Sequence, residues 1–413
     1  MGRSNGVALS AVFALALVAS ACGSDDEAGG GGGDDAGAGG ASSTLRLGLL
    51  TSTSGPASSE YAVTADGVNA RLQAYEAEGG ECADEFDFEV VTADDTSSPQ
   101  GALSGAQRLV QQEEVDAVLE VSSTFFGAAP FLTTQGSDIP VFGAGFDGAT
   151  EWSNTDDNMF LSSRLPDYEA AFTTAGEYFA LQGATKIAGV AYAVPSAQQA
   201  IETLVESAEA AGLERVYVND SVPIGSTDVG SIVLQIIDSG ADSIQTAMLP
   251  STAFAILDGL REAGYDLDTA VLPTGYSSDL LTSPSAASAE GVSFQLSVAP
   301  VELESEATTR FASAMQEYAG VDGGIPGYAL TTAWVTTDLF LHGLEENGCD
   351  ASPDSLISTL QQDDDWDAEG LYPGPVPQTT TDYDELCLFY VKVENGAFVP
   401  VEEASPICGE PVD

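Results

Sequence analysis

Three consecutive hydroxyl residues, Ser122, Ser123 and Thr124, follow a short apolar run and precede a helical pattern. Hydroxyl groups and the free amides of a helix start can bind a carboxylate or another acceptor group. One of the three residues could instead only cap the helix. The cluster therefore marks a candidate loop for binding an anionic or polar small molecule.

Other residues give little support for catalysis. The single histidine, His342, lies in an amphipathic helical pattern, where a surface or packing role is expected. Asp94 and Asp95 could form a glycosidase dyad, but adjacent residues at a strand end point to opposite faces. We interpret them as loop and helix-cap residues. No Gly-x-Gly-x-x-Gly or Walker A sequence follows a strand, so we expect a protein that is not an enzyme and has no cofactor.

The charge balance restricts the partners. The 413-residue chain has 10 Lys and Arg residues against 65 Asp and Glu residues, which gives a net charge of -55. A polyanion repels nucleic-acid phosphates and anionic lipid headgroups, so we exclude both as partners. Counter-ions screen self-repulsion, so this surface suits a salty exterior; an ordinary acidic secreted protein is the alternative.

The N-terminus predicts export. Arg3 precedes an apolar stretch over 7–21 that is too short for a comfortable transmembrane helix, so residues 1–21 are expected to be a signal peptide. Ala19-Ser20-Ala21-Cys22 resembles a bacterial lipobox, which predicts a lipid on Cys22; an ordinary cleaved signal is the alternative. Residues 22–44 are nearly all small or acidic and predict a flexible tether. We therefore expect a protein anchored to the outer face of the cell membrane.

Four cysteines remain after the lipobox: Cys82, Cys349, Cys387 and Cys408. An even number in an exported chain predicts disulfides, with buried free thiols as the alternative. Of the three possible pairings we favour Cys387–Cys408, the closest in sequence, which leaves Cys82–Cys349. None lies in a Cys-x-x-Cys pair, so we expect no metal site.

Short apolar runs alternate with amphipathic helical patterns twice, over 45–144 and 165–274. This rhythm predicts parallel sheets covered on both faces, hence two doubly wound, Rossmann-like α/β lobes with a ligand cleft at the strand ends. Strands near 159–165, 292–298 and 386–393 are placed to be three crossover hinge strands. The predicted division assigns 45–164 plus 299–385 to lobe I and 165–298 plus 386–413 to lobe II.

Six segments between residues 45 and 400 have sequences, and an order along the chain, that match those of a known family: LRLGLLTSTSGPASSEY, TADDTSSPQGAL, VDAVLEVSST, IPVFGAG, MFLSSRLPD and GYALTTAWVTTDLFLHGLEENG. Together they resemble the branched-chain-amino-acid type of periplasmic substrate-binding protein. The resemblance implies the type I periplasmic binding protein fold, a small-molecule ligand held between the lobes, and delivery to the permease subunits of an ABC transporter. We expect a monomer.

The resemblance also implies ligand contacts. Tyr61 matches a tyrosine near the cleft mouth, with one residue inserted, and Ala144 and Phe146 match positions that bind an amino acid's ammonium group. Phe146 departs from the family because it offers only an aromatic face. Tyr276 stands where an acidic residue usually holds the ammonium, although Asp279 is near. An ammonium without a carboxylate partner loses its charge-assisted bonds, so an α-amino acid is disfavoured.

Four aromatic residues favour an apolar or aromatic ligand: Phe125, Phe146, Trp152 and Tyr276. Residues 122–124 would then hold a carboxylate of this ligand. The alternative is that the four aromatic residues pack in the core. Two other functions stay open. The same fold serves ligand-sensing modules of membrane receptors, and an extracellular hydrolase is the second alternative.

Overall fold

The computed structural model describes residues 42–164 and 170–412. The predicted signal peptide, Cys22 and the predicted tether up to residue 41 lie outside these ranges. The first strand begins at Ser43, so the last two residues of the predicted tether belong to a sheet.

The first part of the chain forms a parallel sheet with four helices. Its elements are β1 (Ser43–Thr51), α1 (Ser58–Tyr61), α2 (Thr64–Glu78), β2 (Phe86–Asp94), α3 (Pro99–Gln111), β3 (Ala117–Val121), α4 (Ala129–Leu132), β4 (Val141–Gly143) and β5 (Met159–Leu161). The strand order is β2-β1-β3-β4-β5. All five residues of β3 are buried, because helices cover both faces of the sheet.

The second part repeats the alternation. Its elements are α5 (Thr174–Leu181), β6 (Lys186–Tyr192), α6 (Pro195–Ala210), β7 (Glu214–Val222), α7 (Gly230–Ser239), β8 (Ser243–Ala247), α8 (Pro250–Glu262), β9 (Thr269–Leu272), α9 (Ser278–Thr282), α10 (Ala286–Ala289) and β10 (Ser293–Leu296). The strands of this part pair in parallel.

The last part of the chain adds three helices and then three strands, which pair with the second sheet. Its elements are α11 (Glu306–Tyr318), α12 (Tyr328–Glu346), α13 (Pro353–Leu360), β11 (Leu386–Glu394), β12 (Ala397–Pro400) and β13 (Ile407–Gly409). Strand β11 pairs antiparallel with β10, so the second sheet has the order β12-β11-β10-β9-β8-β6-β7, and β13 pairs with β11.

These elements form two lobes, as predicted from the sequence. Lobe I contains the first sheet and also α11 and α12, whose Phe311, Trp334 and Phe340 share a core with Leu47 and Phe142. Lobe II contains the second sheet with α5–α10 and has its own core. The chain crosses between the sheets after β5, after β10 and before β11; the finer division by residue numbers stays a prediction.

Two kinds of bond tie distant segments together. The buried guanidinium of Arg71 on α2 lies 2.7 Å from the Asp338 carboxylate on α12. The disulfides are Cys82–Cys349 and Cys387–Cys408, which is the pairing favoured from the sequence. Within the described ranges, none of the helices has the length and apolar character needed to cross a membrane.

Candidate ligand-binding site

A cavity of about 300 Å³ lies between the two lobes. Ala144 and Phe146 approach it from the loop after β4, and residues 273–276 approach it from the loop after β9. The crossover segments 163–164, 295–299 and 386–388 line its inner side. The cavity therefore lies at the carboxyl ends of parallel strands, where the fold class predicted a cleft.

The lining of this cavity is largely aromatic and apolar. Five aromatic residues contribute to it: Phe146, Tyr276, Phe311, Tyr328 and Tyr372. Uncharged polar groups come from Ser163, Ser196, Thr274, Gln295, Ser297, Thr331 and Thr332. Among the described lining residues there is no Asp or Glu, and Arg164 is the one charged side chain.

The lobes touch each other around the cavity. The Ser278 amide of lobe II donates a hydrogen bond of 3.0 Å to the Ile325 carbonyl of lobe I. Gly148 of lobe I approaches Ser196 of lobe II so closely that a Cβ on the glycine would lie 3.2 Å from the serine nitrogen. The structure is thus a closed arrangement of the two lobes.

Phe146 forms the lobe I wall of the cavity. Its ring stacks on Tyr61 with a centroid distance of 6.0 Å, and the edge of Tyr328 approaches at 5.4 Å. Tyr61 is buried and is not among the cavity-lining residues, so it supports the Phe146 ring from behind. The aromatic face at position 146 is therefore held in a fixed orientation.

Tyr276 closes the cavity from lobe II. Its hydroxyl donates to the Glu302 carboxylate at 2.6 Å and accepts from the Val301 amide at 3.0 Å, both on the crossover after β10. Its ring packs against Phe398. Burial, with the negative charge of Glu302, raises the pKa of Tyr276 well above its ordinary value. The phenol therefore stays protonated and joins the two lobes.

These features can be compared with known proteins. Residues 44–391 match the family model described as "Periplasmic binding protein". The chain belongs to this family. No curated protein matches the sequence.

Solved structures of other periplasmic binding proteins share the fold. A solute-binding protein from R. palustris in complex with benzoate has a TM-score of 0.70 at 16% identity, covering 89% of this chain and 97% of that chain. A second one, with 4-hydroxybenzoate, has a TM-score of 0.66 at 20% identity, covering 90% and 97%. A branched-chain amino acid protein from Thermus thermophilus with valine has a TM-score of 0.70 at 15% identity, covering 90% and 97%.

In this binding protein, two hydroxyl groups of the predicted cluster are bonded to a carboxylate of the protein itself, that of Asp95. Ser122 and Thr124 are buried, and both hydroxyls donate to Oδ2 of Asp95, that of Thr124 at 3.1 Å. Ser52 donates to Oδ1 of the same Asp95 at 2.6 Å. Ser123 is half-buried, and none of residues 122–124 is among the cavity-lining residues. Their contact with a ligand stays a prediction.

The helical pattern that follows residues 122–124 forms no continuous helix. The structure has one 3-10 turn, Phe125–Gly127, followed by the four-residue α4. Gly127 packs directly on the backbone of Pro99, since a Cβ at this position would lie 2.3 Å from the proline carbonyl oxygen. The helix start that was expected to bind a carboxylate is therefore short and is held against α3.

Two buried carboxyl groups lie beneath this loop. Glu120 accepts a hydrogen bond of 2.7 Å from the Ser122 amide, and Asp147 accepts one of 2.7 Å from the Trp152 indole. Burial raises the pKa of Asp147 to about 7. Burial and the nearby Asp147 raise the pKa of Glu120 well above its ordinary value. At neutral pH this cluster retains at least one proton.

The remaining predicted aromatics lie in the core. Phe125 and Trp152 are buried with a centroid distance of 5.4 Å and are not among the lining residues. For these two residues the core-packing alternative describes the structure. Asp279 lines a separate interlobe pocket of about 320 Å³ together with Glu60. Burial raises the pKa of Glu60 to about 7, although the Ala329 amide opposes this shift.

Arg164, the one charged side chain among the described lining residues, was not predicted from the sequence. It follows β5 at the first crossover, and its Nε and Nη2 donate to the Pro375 carbonyl at 3.0 and 2.8 Å. The guanidinium also lies 5.7 Å from the centre of the Tyr383 ring. The signal was available, since the chain has only ten cationic residues and one of them occurs in MFLSSRLPD.

The other candidates for chemistry have structural partners. His342 lies 2.7 Å from the Asp363 carboxylate, outside the cavity. Asp94 accepts hydrogen bonds from the Thr53, Ser54 and Thr96 amides, which agrees with a loop role. Among the described residues, the one group spaced to hold a metal is Glu385 with Cys387 and Cys408, whose sulfurs form a disulfide.

Proposed function

We propose that this periplasmic binding protein captures a small apolar or aromatic carboxylate between its lobes and delivers it unchanged to the permease of an ABC transporter. The observation that carries the proposal is the cavity of about 300 Å³ enclosed by both lobes, with aromatic walls. A mostly apolar cavity with a few polar groups is typical of small-molecule sites, and this volume suits one small ligand.

The lining argues for an acid rather than an α-amino acid. A buried ammonium group is best stabilised by charge-assisted bonds to a carboxylate, and no acidic residue lines the described part of the cavity. The rings of Phe146 and Tyr276 instead offer apolar faces from opposite lobes. A planar apolar ligand would bury its surface against both faces at once.

The similar structures support this choice of ligand class. Benzoate and 4-hydroxybenzoate, the ligands of two of them, are aromatic carboxylates, whereas valine is an α-amino acid. Their fold accommodates both chemistries, so the discrimination must come from individual lining residues. The family resemblance implies that Phe146 and Tyr276 stand at positions that hold an ammonium group in amino-acid binders, and neither side chain offers a carboxylate.

Closure of the lobes couples binding to delivery. A ligand shifts a two-state protein toward the closed state only if it contacts both lobes there. Ala144 and Phe146 supply the proposed contacts of lobe I, Tyr276 supplies that of lobe II, and Tyr61 supports Phe146. A permease can then distinguish the loaded from the empty protein by the relative position of the lobes.

We also propose that Cys22 carries a lipid that holds the protein at the outer face of the membrane. An exported location fits the two disulfides, which persist in oxidising compartments. Mass analysis of the mature protein should give an N-terminal Cys22 with acyl chains. An unmodified N-terminus at another residue would rule out the anchor.

The test of the function is calorimetry of the purified protein with benzoate, 4-hydroxybenzoate and leucine. We expect binding of at least one aromatic acid that is tighter than binding of leucine, and recovery of the acid unchanged after denaturation. Tighter binding of leucine contradicts the ligand class, and turnover of the acid contradicts a binding protein. Loss of uptake of the labelled acid by cells without the protein would separate transport from sensing.

A further inference from the structure

The charge of the described cavity lining is opposite in sign to the net charge of the chain. Acidic residues outnumber Lys and Arg by 65 to 10 in the sequence, yet the described cavity lining contains no acidic residue and one arginine. A site with a positive charge in such a protein attracts anions and disfavours cations locally. This reversal favours a ligand with a negatively charged group.

Arg164 also differs from the other arginines in its partners. Six of the seven arginines in the described ranges form ion pairs with described carboxylates: Arg46, Arg71, Arg108, Arg215, Arg261 and Arg310. Among the same residues, no carboxylate lies within ion-pair distance of Arg164. Its charge is therefore not neutralised by a described carboxylate, although the chain has many to offer.

The guanidinium of Arg164 is nevertheless held in place. Two of its five N–H groups donate to the single carbonyl oxygen of Pro375, and Nη1 lies 3.5 Å from the Glu385 carbonyl. The Tyr383 ring, whose centre lies 5.7 Å from the guanidinium carbon, further restricts it. A planar group that is held in this way, and that keeps N–H donors without a partner among the described residues, is suited to binding a carboxylate with little loss of side-chain entropy.

We propose that Arg164 binds the carboxylate of the ligand and sets the preference of the site for monoanions over neutral molecules. The inference rests on the proposed function, since it concerns the same cavity. Arg164 takes the role that the sequence predicted for residues 122–124, of which Ser122 and Thr124 have buried hydroxyls that bind Asp95.

The experiment compares benzoate with benzamide, which has the same shape and no charge. Calorimetry with the wild type should give tighter binding of benzoate. Arg164→Gln should weaken benzoate binding about 10- to 100-fold and leave benzamide binding within about 2-fold, as expected for loss of one charge-assisted contact. Arg215→Gln makes the same change of charge outside the cavity and should alter neither affinity.

Each outcome bears on a different proposal. Equal loss of both ligands, or no loss of benzoate, in Arg164→Gln would overturn the role of Arg164 while the proposed function stands. A wild type that binds no aromatic acid would overturn the proposed function and this inference together. If Arg164→Gln does not fold, Arg164→Lys keeps the charge and removes the planar fork, and a loss confined to benzoate supports the proposal.

Discussion

The Tyr276 hydroxyl lies 2.6 Å from the Glu302 carboxylate, so the end of a lobe II strand is bonded to the crossover that leads into lobe I. The same hydroxyl accepts a hydrogen bond from the Val301 amide. Burial raises the pKa of both Tyr276 and Glu302 above their ordinary values. One phenol therefore bonds to two partly buried groups at the interface of the lobes.

Tyr276→Phe should destabilise the protein. The ring keeps its packing against Phe398, but the Val301 amide and the Glu302 carboxyl lose their partner, which costs about 1–3 kcal/mol. Urea unfolding measures the change. Tyr217→Phe is the matched control, because the Tyr217 hydroxyl is buried without a described partner and its removal should cost about 0.5 kcal/mol or less. Equal effects of the two variants would contradict a bonding role for Tyr276.

The buried carboxyl groups predict a stability that falls as the pH rises. The pKa of Asp147 in the folded protein, about 7, lies above its ordinary value of 3.8, and burial is the main cause. Between these pH values the folded protein binds a proton that the unfolded chain has released. Stability is therefore fully present below about pH 4 and is lost toward pH 7. Glu120 shifts in the same direction.

Glu120→Gln should flatten that profile. The variant removes one buried titrating group and keeps the shape of the side chain, so the loss of stability between pH 4 and pH 8 should become smaller. Urea unfolding at several pH values measures this. Asp94→Asn is the opposite control: burial opposes the shift, but hydrogen bonds led by Ser54 lower the pKa of Asp94. Its stabilisation is present above about pH 4, so this variant should lose stability at neutral pH. An unchanged profile in Glu120→Gln would contradict the assignment.

The sequence predicts the sheets better than it predicts the site, for a physical reason. Strands buried on both faces are largely apolar, so β3 and β6 are visible as apolar runs, although β3 includes the buried Glu120. The partner of a hydroxyl depends instead on tertiary packing. Ser122 bonds to Asp95, 27 residues away, and nothing local to Ser122 shows that its hydroxyl is already used.

The two disulfides should differ in their contributions. Cys82–Cys349 spans 267 residues, whereas Cys387–Cys408 spans 21. In the chain-entropy model the longer loop stabilises by about 2 kcal/mol more. Double Cys→Ala variants of each pair, compared by urea unfolding, should show the larger loss for Cys82–Cys349. The reverse order would show that the enthalpy of the folded state, and not loop length, controls the contributions.

Salt should stabilise the folded protein. Sixty-five acidic residues against ten cationic ones repel each other, and counter-ions screen this repulsion. The thermal midpoint should rise between about 0.05 M and about 1 M sodium chloride, as the Debye length falls from over 10 Å to about 3 Å. A midpoint independent of salt would contradict adaptation to a salty exterior.

Arg164 is a second residue whose role could not be predicted from the sequence. Its charge is visible, but its partners are the Pro375 carbonyl, 211 residues further along the chain, and the Tyr383 ring. Whether an arginine neutralises an acidic residue or keeps its charge for a ligand is decided by such distant loops. Phe146 and Tyr276, by contrast, were predicted as ligand contacts and do line the cavity.

The most direct test is a crystal structure with 4-bromobenzoate, in which anomalous scattering locates the bromine atom. We predict bromine density inside the cavity, with the ring between Phe146 and Tyr276 and the carboxylate at Arg164. Bromine found only outside the cavity, or a carboxylate directed away from Arg164 toward Ser123, would contradict this account of the site.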